Sequence, residues 1–290
     1  MAKVFKSTLC GVLVYLFLFA GSTNFAGCTK TVYDTIVKTD TLFVRDTTTV
    51  HDTAKCNNLN SGLIAYYPFT NGSLNDSSGN NNHIYSNTAI ATTDRFGKAG
   101  NAYQFNALNH MMRVKSTPSL NPPKEISIVT IVRPTGFYTG NCHNNQILGK
   151  GNRDDINGLY YMRFVDVGTT CTPGQPINAN KEHFYSGYGN NYPMGVAADA
   201  GSDTTFITLN NWYTVVYTFD GIVSKIYVNG KLDDVRLKQV TFTPNNFDLV
   251  IGRHESATFP YNFKGDIDEI RIYNKALCPE QVTALNNLTH

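Results

Sequence analysis

The chain has 290 residues, of which 41% are hydrophobic and 16% are charged, as expected for one or two globular domains. Its formal net charge is +2, and Lys3 and Lys6 lie in a segment expected to be removed, so the mature chain is nearly neutral. That balance argues against a surface for nucleic acid or anionic lipid.

The N-terminal residues read as an export signal. After Lys3 and Lys6, residues 9–20 (LCGVLVYLFLFA) form an apolar core shorter than the roughly 20 residues of a membrane-spanning helix. Phe25-Ala26-Gly27-Cys28 then resembles the lipobox of bacterial lipoproteins. We predict a signal peptide over residues 1–27, lipidation of Cys28, and a location at the outer membrane or cell surface; the alternatives are a buried N-terminal helix and simple cleavage.

Residues 28–57 carry a six-residue repeat of Asp-Thr that begins at Asp34, Asp40, Asp46 and Asp52. An even period keeps every Asp on one face of an extended chain, and it does not match the helical period. We predict an extended stalk. Each Asp-Thr triplet also resembles the acceptor signal of a periplasmic O-glycosylation system, which predicts modified Thr35, Thr41, Thr47 and Thr53; a bare spacer is the alternative.

Four cysteines remain after Cys10 leaves with the signal and Cys28 takes the lipid: Cys56, Cys142, Cys171 and Cys278. An even number in an oxidising compartment predicts disulfides. We prefer Cys56–Cys278 and Cys142–Cys171 among the three possible pairings. Metal binding is the weaker interpretation, because no CxxC spacing occurs.

From residue 58 to residue 290 the pattern is that of short strands. Alternating side chains predict strands over residues 125–133, 159–164, 211–219, 225–228 and 247–251, with a hairpin from Tyr213 through Asn229-Gly230. Helical periodicity appears only over residues 279–288. We therefore predict an all-β domain made of two packed antiparallel sheets.

Five stretches of this domain resemble the concanavalin A-like lectin/glucanase superfamily, specifically laminin-G-like jelly rolls of secreted bacterial proteins. They are GLIAYYPFTNGSLNDSSGNNNH, ISIVTIVRP, LNNWYTVVYTFDG, KIYVNGKL and FKGDIDEIRIYNKALCPEQV, in the family's order. The resemblance implies a jelly-roll sandwich. It does not decide function, because the same sandwich carries lectins, adhesins and glycosidases.

The acidic residues argue against an enzyme. The family's retaining glycosidases place two carboxylates about 5 Å apart, and the nearest match, Asp266-Ile267-Asp268-Glu269, lacks the third carboxylate on its face. Asp268 instead resembles the family's structural calcium ligand, and Asp76 resembles the other end of that site. We predict calcium at Asp76 and Asp268. The alternative is that Asp76 caps a turn and Asp268 accepts backbone hydrogen bonds.

Lectins of this fold stack sugars on exposed aromatic rings beside polar groups. The candidates are Tyr161 and Arg163 on the polar side of their strand, and Tyr185, Tyr188 and Tyr192 in a loop rich in Gly and Asn. Trp212 is expected in the core. We predict a non-catalytic, carbohydrate-binding domain with a glycan as partner and without nucleic acid. A protein-binding adhesin or structural surface protein is the alternative, and a glycoside hydrolase is less favoured.

Overall fold

The computed structural model describes residues 33–38, 41–46, 56, 58–151, 158–166, 176, 178, 181–190 and 198–289. The signal peptide, Cys28, Thr47, Thr53, Cys171 and Tyr192 lie outside these ranges. The chain divides into two compact units, Met1–Thr53 and Ala54–His290. Within the described ranges, no helix is both long enough and apolar enough to cross a membrane.

The first unit differs from the predicted extended stalk. Strand β1 (Tyr33–Lys38) pairs antiparallel with β2 (Thr41–Asp46), with Tyr33 opposite Asp46 and Lys38 opposite Thr41. The chain thus doubles back within the Asp-Thr repeat. The β-branched Thr, Val and Ile residues of this segment disfavour a helix and favour strands. Pairing of the two strands also satisfies backbone N–H and C=O groups that a single strand leaves to water.

Within its described residues, the second unit contains strands β3 to β17 and a C-terminal α-helix. The strands are β3 (Leu63–Tyr67), β4 (Ile84–Asn87), β5 (Ile90–Thr93), β6 (Ala99–Asn106), β7 (Met112–Val114), β8 (Ile126–Pro134), β9 (Asn145–Lys150), β10 (Leu159–Asp166), β11 (Glu182–Gly189), β12 (Ala198–Phe206), β13 (Tyr213–Phe219), β14 (Val223–Val228), β15 (Lys231–Leu237), β16 (Leu249–Ile251) and β17 (Lys264–Tyr273). The helix is α1 (Pro279–Asn286).

These strands form two antiparallel sheets. The seven-stranded sheet has the order β12-β11-β10-β9-β16-β7-β4, and the eight-stranded sheet has the order β15-β14-β13-β8-β17-β6-β5, with β3 also paired to β17. A continuous apolar core lies between them, to which β10 contributes Tyr160, Met162 and Phe164. The predicted all-β, two-sheet sandwich is confirmed, and so are the hairpin from Tyr213 and the C-terminal helix.

The outer face of the eight-stranded sheet is covered by α1. Val282 and Leu285 of the helix join Val129 and Val216 of the sheet in a second, smaller apolar cluster. Cys278, immediately before α1, is disulfide-bonded to Cys56 with a Cα–Cα separation of 6.1 Å, which confirms that predicted pairing. Cys142 is also disulfide-bonded, whereas its predicted partner lies outside the described residues, so that pairing stays a prediction.

Candidate functional site

The outer face of the seven-stranded sheet presents Tyr161 and Arg163 from β10. Because side chains alternate along a strand, these two residues point away from the core that Tyr160 and Met162 enter. Tyr185 of β11 lies directly across from Arg163 in the antiparallel register. The structure therefore brings three of the five predicted glycan-binding residues together on one face.

These three side chains form a stacked group, called here the Tyr–Arg–Tyr group. The rings of Tyr161 and Tyr185 stack with centroids 6.1 Å apart and an interplanar angle of 19°. The Cζ atom of Arg163 lies 4.3 Å from the Tyr161 centroid and 5.1 Å from that of Tyr185. Both distances are within the range of cation–π attraction, so the guanidinium is held in place by two rings.

Glycines on the neighbouring strands make room for the rings. Gly187 of β11 is the cross-strand partner of Tyr161, and a Cβ there would lie 2.7 Å from the Tyr161 hydroxyl oxygen. Gly201 of β12 is the partner of Tyr185, and a Cβ there would lie 3.0 Å from its Cδ2. Each tyrosine therefore lies across the next strand instead of standing up from the sheet.

A charged network fixes the edge of the group. The Tyr185 hydroxyl donates a hydrogen bond to the Asp199 carboxylate, whose Oδ1 lies 4.0 Å from Arg236 Nη1. Arg236 Nε in turn donates to Asp234 Oδ2 at 2.6 Å. Burial raises the pKa of the Tyr161 hydroxyl, and the charge of Arg163 opposes that rise. Tyr161 stays a neutral phenol at physiological pH.

Sequence reasoning missed Asp199, Arg236 and the glycines, because they come from strands whose pairing a single sequence does not show. The one available signal was the spacing of YSGYG, in which Ser186 and Gly187 separate two tyrosines on opposite faces of β11. That alternation predicts a strand, and the interpretation as a loop was wrong.

Three expectations for aromatic residues need correction. Tyr161 is only 6% exposed, so it supports Arg163 and does not offer its own face to a ligand. Tyr188 lies in β11, not in an exposed loop; it is 1% exposed and stacks on Phe242 at 4.7 Å within the core. Trp212 is half-buried, not in the core, with Arg133 Cζ 5.1 Å from its ring.

The predicted calcium residues already have partners. Asp76 accepts hydrogen bonds from the backbone N–H groups of Tyr66, Ser78 and Asn82 and from the Ser78 hydroxyl. Asp268 Oδ2 lies 2.7 Å from Arg95 Nη1, and burial raises the pKa of Asp268 in spite of that arginine.

These hydrogen bonds compensate the buried Asp76 carboxylate, which is the role expected of a calcium ion. Asp76 therefore fits a turn cap better than a calcium ligand. Asp268 keeps one buried oxygen, Oδ1, that has no partner in the described part of the chain. Of the described His, Cys, Asp and Glu side chains, only Cys56, Cys278 and Glu280 bring three ligand atoms within 4.8 Å, and the two sulfurs are disulfide-bonded. Calcium stays a prediction.

The acids of β17 are each held by an arginine. The pairs are Asp266 with Arg133 at 2.8 Å, Asp268 with Arg95 at 2.7 Å, and Glu269 with Arg271 at 2.5 Å. A glycosidase needs one free carboxylate and one carboxylic acid facing the substrate. Carboxylates that are buried and paired with arginine do not meet that requirement.

A second pair of acids lies inside the sandwich. Asp166 of β10 and Glu182 of β11 are cross-strand partners that are 4% and 0% exposed. His143 Nδ1 lies 3.5 Å from Asp166 Oδ2, and both Glu182 oxygens lack a partner among the described residues. Burial, reinforced by Asp166, raises the pKa of Glu182 to about 8. This pair is closed off from any substrate, so it does not form a glycosidase site.

Comparison with known proteins agrees with this architecture. Residues 164–283 match the Laminin_G_3 family model, described as the concanavalin A-like lectin/glucanases superfamily. Among curated proteins, no sequence matches the chain.

Among solved structures, the chain is similar to domain 4 of AbnA, an extracellular arabinanase from Geobacillus stearothermophilus, in complex with arabinotriose. The TM-score is 0.55 at 22% identity, covering 78% of this chain and 99% of that one. It is also similar to the binding domain of Paraclostridial Mosquitocidal Protein 1, with a TM-score of 0.60 at 17% identity, covering 79% of this chain and 53% of that one.

A third similar structure is that of botulinum neurotoxin type C, whose cell entry is described as dependent on two ganglioside molecules. The TM-score is 0.56 at 14% identity, covering 81% of this chain and 52% of that one. The chain thus spans about half the length of both toxin chains. At these identities the structures show the fold alone. They agree with the two-sheet β-sandwich of the second unit.

Proposed function

We propose that the Ala54–His290 unit binds glycans without chemistry, on the outer face of the seven-stranded sheet. The observation that carries the proposal is the Tyr–Arg–Tyr group, built over glycines on the sheet face opposite to the one that α1 covers. A half-buried tyrosine ring and a guanidinium suit the apolar faces and hydroxyls of a sugar. The arabinotriose complex of a similar domain supports the same class of ligand.

The proposed lack of catalysis rests on the partners and the burial of the acidic residues. Those of β17 are paired with arginine, and Asp166 and Glu182 are enclosed in the sandwich. Among the described residues near the Tyr–Arg–Tyr group, Asp199 already accepts from Tyr185 and faces Arg236. A pair of free carboxylates flanking a bound sugar is therefore not formed by these residues.

A glycan array probed with residues 54–290, in calcium and again in EDTA, tests the proposal. We expect binding to a defined glycan class and at least a tenfold loss in Tyr185→Ala, or about 1.4 kcal/mol. Tyr85→Ala, at a tyrosine that is 49% exposed on β4, is the matched control and should keep binding.

Silence on the array, with thermal unfolding intact, would contradict glycan binding and would favour a protein ligand. Loss of binding or of thermal stability in EDTA would support the calcium prediction at Asp76 and Asp268. Equal behaviour in both buffers would contradict it, in agreement with the hydrogen bonds that already satisfy Asp76.

We also propose that a lipid on Cys28 anchors the protein at the cell surface, with sugars on the Asp-Thr repeat. The support is the lipobox-like tetrapeptide and the four triplets in register. Several acyl chains would anchor the protein stably, since each buried methylene contributes about 0.8 kcal/mol. The intact mass of the natively produced protein tests both modifications: a mass equal to the unmodified chain from residue 28 excludes them.

A further inference from the structure

Arg163 differs from the other described arginines of the sandwich in its partners. Arg95, Arg133, Arg236 and Arg271 each contact a carboxylate at 2.5–2.8 Å. Within the described ranges, Arg163 contacts the rings of Tyr161 and Tyr185 and no hydrogen-bond acceptor, and its Nε is buried without a partner. The guanidinium is thus held in position while its hydrogen-bonding capacity is unused.

This arrangement is costly in a purely structural role. A buried donor without an acceptor loses its hydrogen bonds to water without compensation, and the cost is larger when the group is charged. An arginine that served only to pack would be expected to pair with an acid, as Arg133 does with Asp266. Cation–π attraction holds the face of the Arg163 guanidinium against the rings. The N–H groups along the edge of the guanidinium stay available for another partner.

The nearby carboxylates do not neutralise Arg163, because they are already engaged. Asp199 accepts from the Tyr185 hydroxyl and faces Arg236. Asp234 accepts from Arg236 at 2.6 Å and from the Gly201 N–H at 3.3 Å. Arg163 is therefore a positive charge of this face that lacks a counter-charge among the described residues.

We infer that Arg163 is an anion anchor and that this face selects acidic glycans, in which the sugar carries a carboxylate or a sulfate. The inference rests on the proposed glycan-binding function and names its ligand class. The planar guanidinium matches two oxygens of a carboxylate or sulfate, an arrangement that lysine does not reproduce. Tyr185, half-buried beside it, is placed to contact the sugar ring that bears the anion.

The test is calorimetric titration of residues 54–290 with matched pairs of probes. Polygalacturonate against its methyl ester, and sialyllactose against lactose, isolate the carboxylate; a sulfated galactan against its desulfated form isolates the sulfate. We expect at least tenfold tighter binding of the acidic member in one of these pairs. Added salt should weaken that binding more than the binding of the neutral member.

Three variants assign the preference to the guanidinium. Arg163→Gln should abolish the preference for the acidic member, and Arg163→Lys should keep only part of it, because a lysine is a point charge without the planar fork. Arg113→Gln, on β7 of the same sheet, removes an equal charge elsewhere and should leave the preference intact. Thermal unfolding confirms that each variant is folded; if Arg163→Gln is not, Arg163→Lys carries the test.

The outcomes separate this inference from the proposed function. Equal affinity for the acidic and neutral members of every pair, or an unchanged preference in folded Arg163→Gln, overturns the anion anchor and leaves glycan binding standing. Absence of binding to every probe and to the glycan array overturns the proposed function, and the anchor with it.

Discussion

At the scale of single residues, Gly187 controls the shape of the candidate site. A Cβ at this position would lie 2.7 Å from the Tyr161 hydroxyl oxygen and 2.9 Å from its Cζ, closer than packed atoms approach. We predict that Gly187→Ala displaces the ring that supports Arg163, lowers stability by about 1–3 kcal/mol and weakens glycan binding. Thermal unfolding and titration with the array ligand measure both effects.

Gly149→Ala is the matched control, because Gly149 is the other cross-strand partner of Tyr161. There a new Cβ would meet the flexible end of Gln146, with Nε2 2.0 Å away, and not the tyrosine ring. Weaker binding in Gly187→Ala but not in Gly149→Ala is the expected pattern. Equal binding in wild type and Gly187→Ala would show that the position of Tyr161 does not matter to the ligand.

Glu182 is a second residue whose surroundings predict a measurable property. Burial and Asp166 raise its pKa to about 8 from an ordinary value of 4.5, so the folded state holds a proton that the unfolded state releases. This contribution to stability is fully present below pH 4.5 and is lost as pH rises toward 8. Each unit of pKa difference corresponds to about 1.4 kcal/mol, so the loss is on the order of a few kcal/mol.

We predict that Glu182→Gln is more stable than wild type at pH 9 and that the difference disappears toward pH 4.5. Thermal unfolding across this range measures it, and Glu280→Gln, at an exposed glutamate of α1, is the control. Asp166 and His143 are present in both proteins, so the difference between the two curves reports the replacement of Glu182. A difference independent of pH would contradict the buried-proton interpretation.

At the scale of elements, the sequence predicts where strands lie better than it predicts which strands are adjacent in a sheet. Alternation locates β8, β10 and β13 within two residues of their observed ends, because one face of each enters the core. The partners of Arg163 follow from register, which places β11 beside β10 and β12 beside β11. That strand order cannot be read from a single sequence. The proximity of Asp199 to Tyr185 and of Asp166 to Glu182 could therefore not be predicted.

Helix α1 illustrates an element that is needed for stability but is remote from the candidate site. Leu285 is 1% exposed in the cluster on the outer face of the eight-stranded sheet. We predict that Leu285→Ala lowers the free energy of unfolding by about 2–5 kcal/mol and leaves glycan affinity unchanged. Denaturant unfolding and titration test this, with Thr283→Ala on the exposed side of α1 as the control. A parallel loss of affinity would show that the two outer faces are coupled.

At the scale of the whole sandwich, the Cys56–Cys278 disulfide joins the two ends of the second unit across 222 residues of sequence. Cross-linking so long a loop restricts the unfolded chain, which contributes up to about 5 kcal/mol in the chain-entropy model and typically about 2–4 kcal/mol. We predict that the Cys56→Ser/Cys278→Ser double variant unfolds at a lower temperature and still binds the array ligand. Cys278 lies beside α1, on the sheet face opposite to Arg163, so removing the bond changes the unfolded chain more than the site.

The same measurement separates two roles for the bond. If it only restricts the unfolded chain, the variant keeps the wild-type affinity at temperatures where it is folded, and its rate of proteolysis rises in step with its loss of stability. If it also holds the sandwich in its binding shape, affinity falls while the protein is still folded. We expect the first result, because the Tyr–Arg–Tyr group is held by contacts among β9, β10, β11, β12 and β15. In the described part of the chain, the Cys278 side chain contacts Cys56 and Gln281, neither of which lies in those strands.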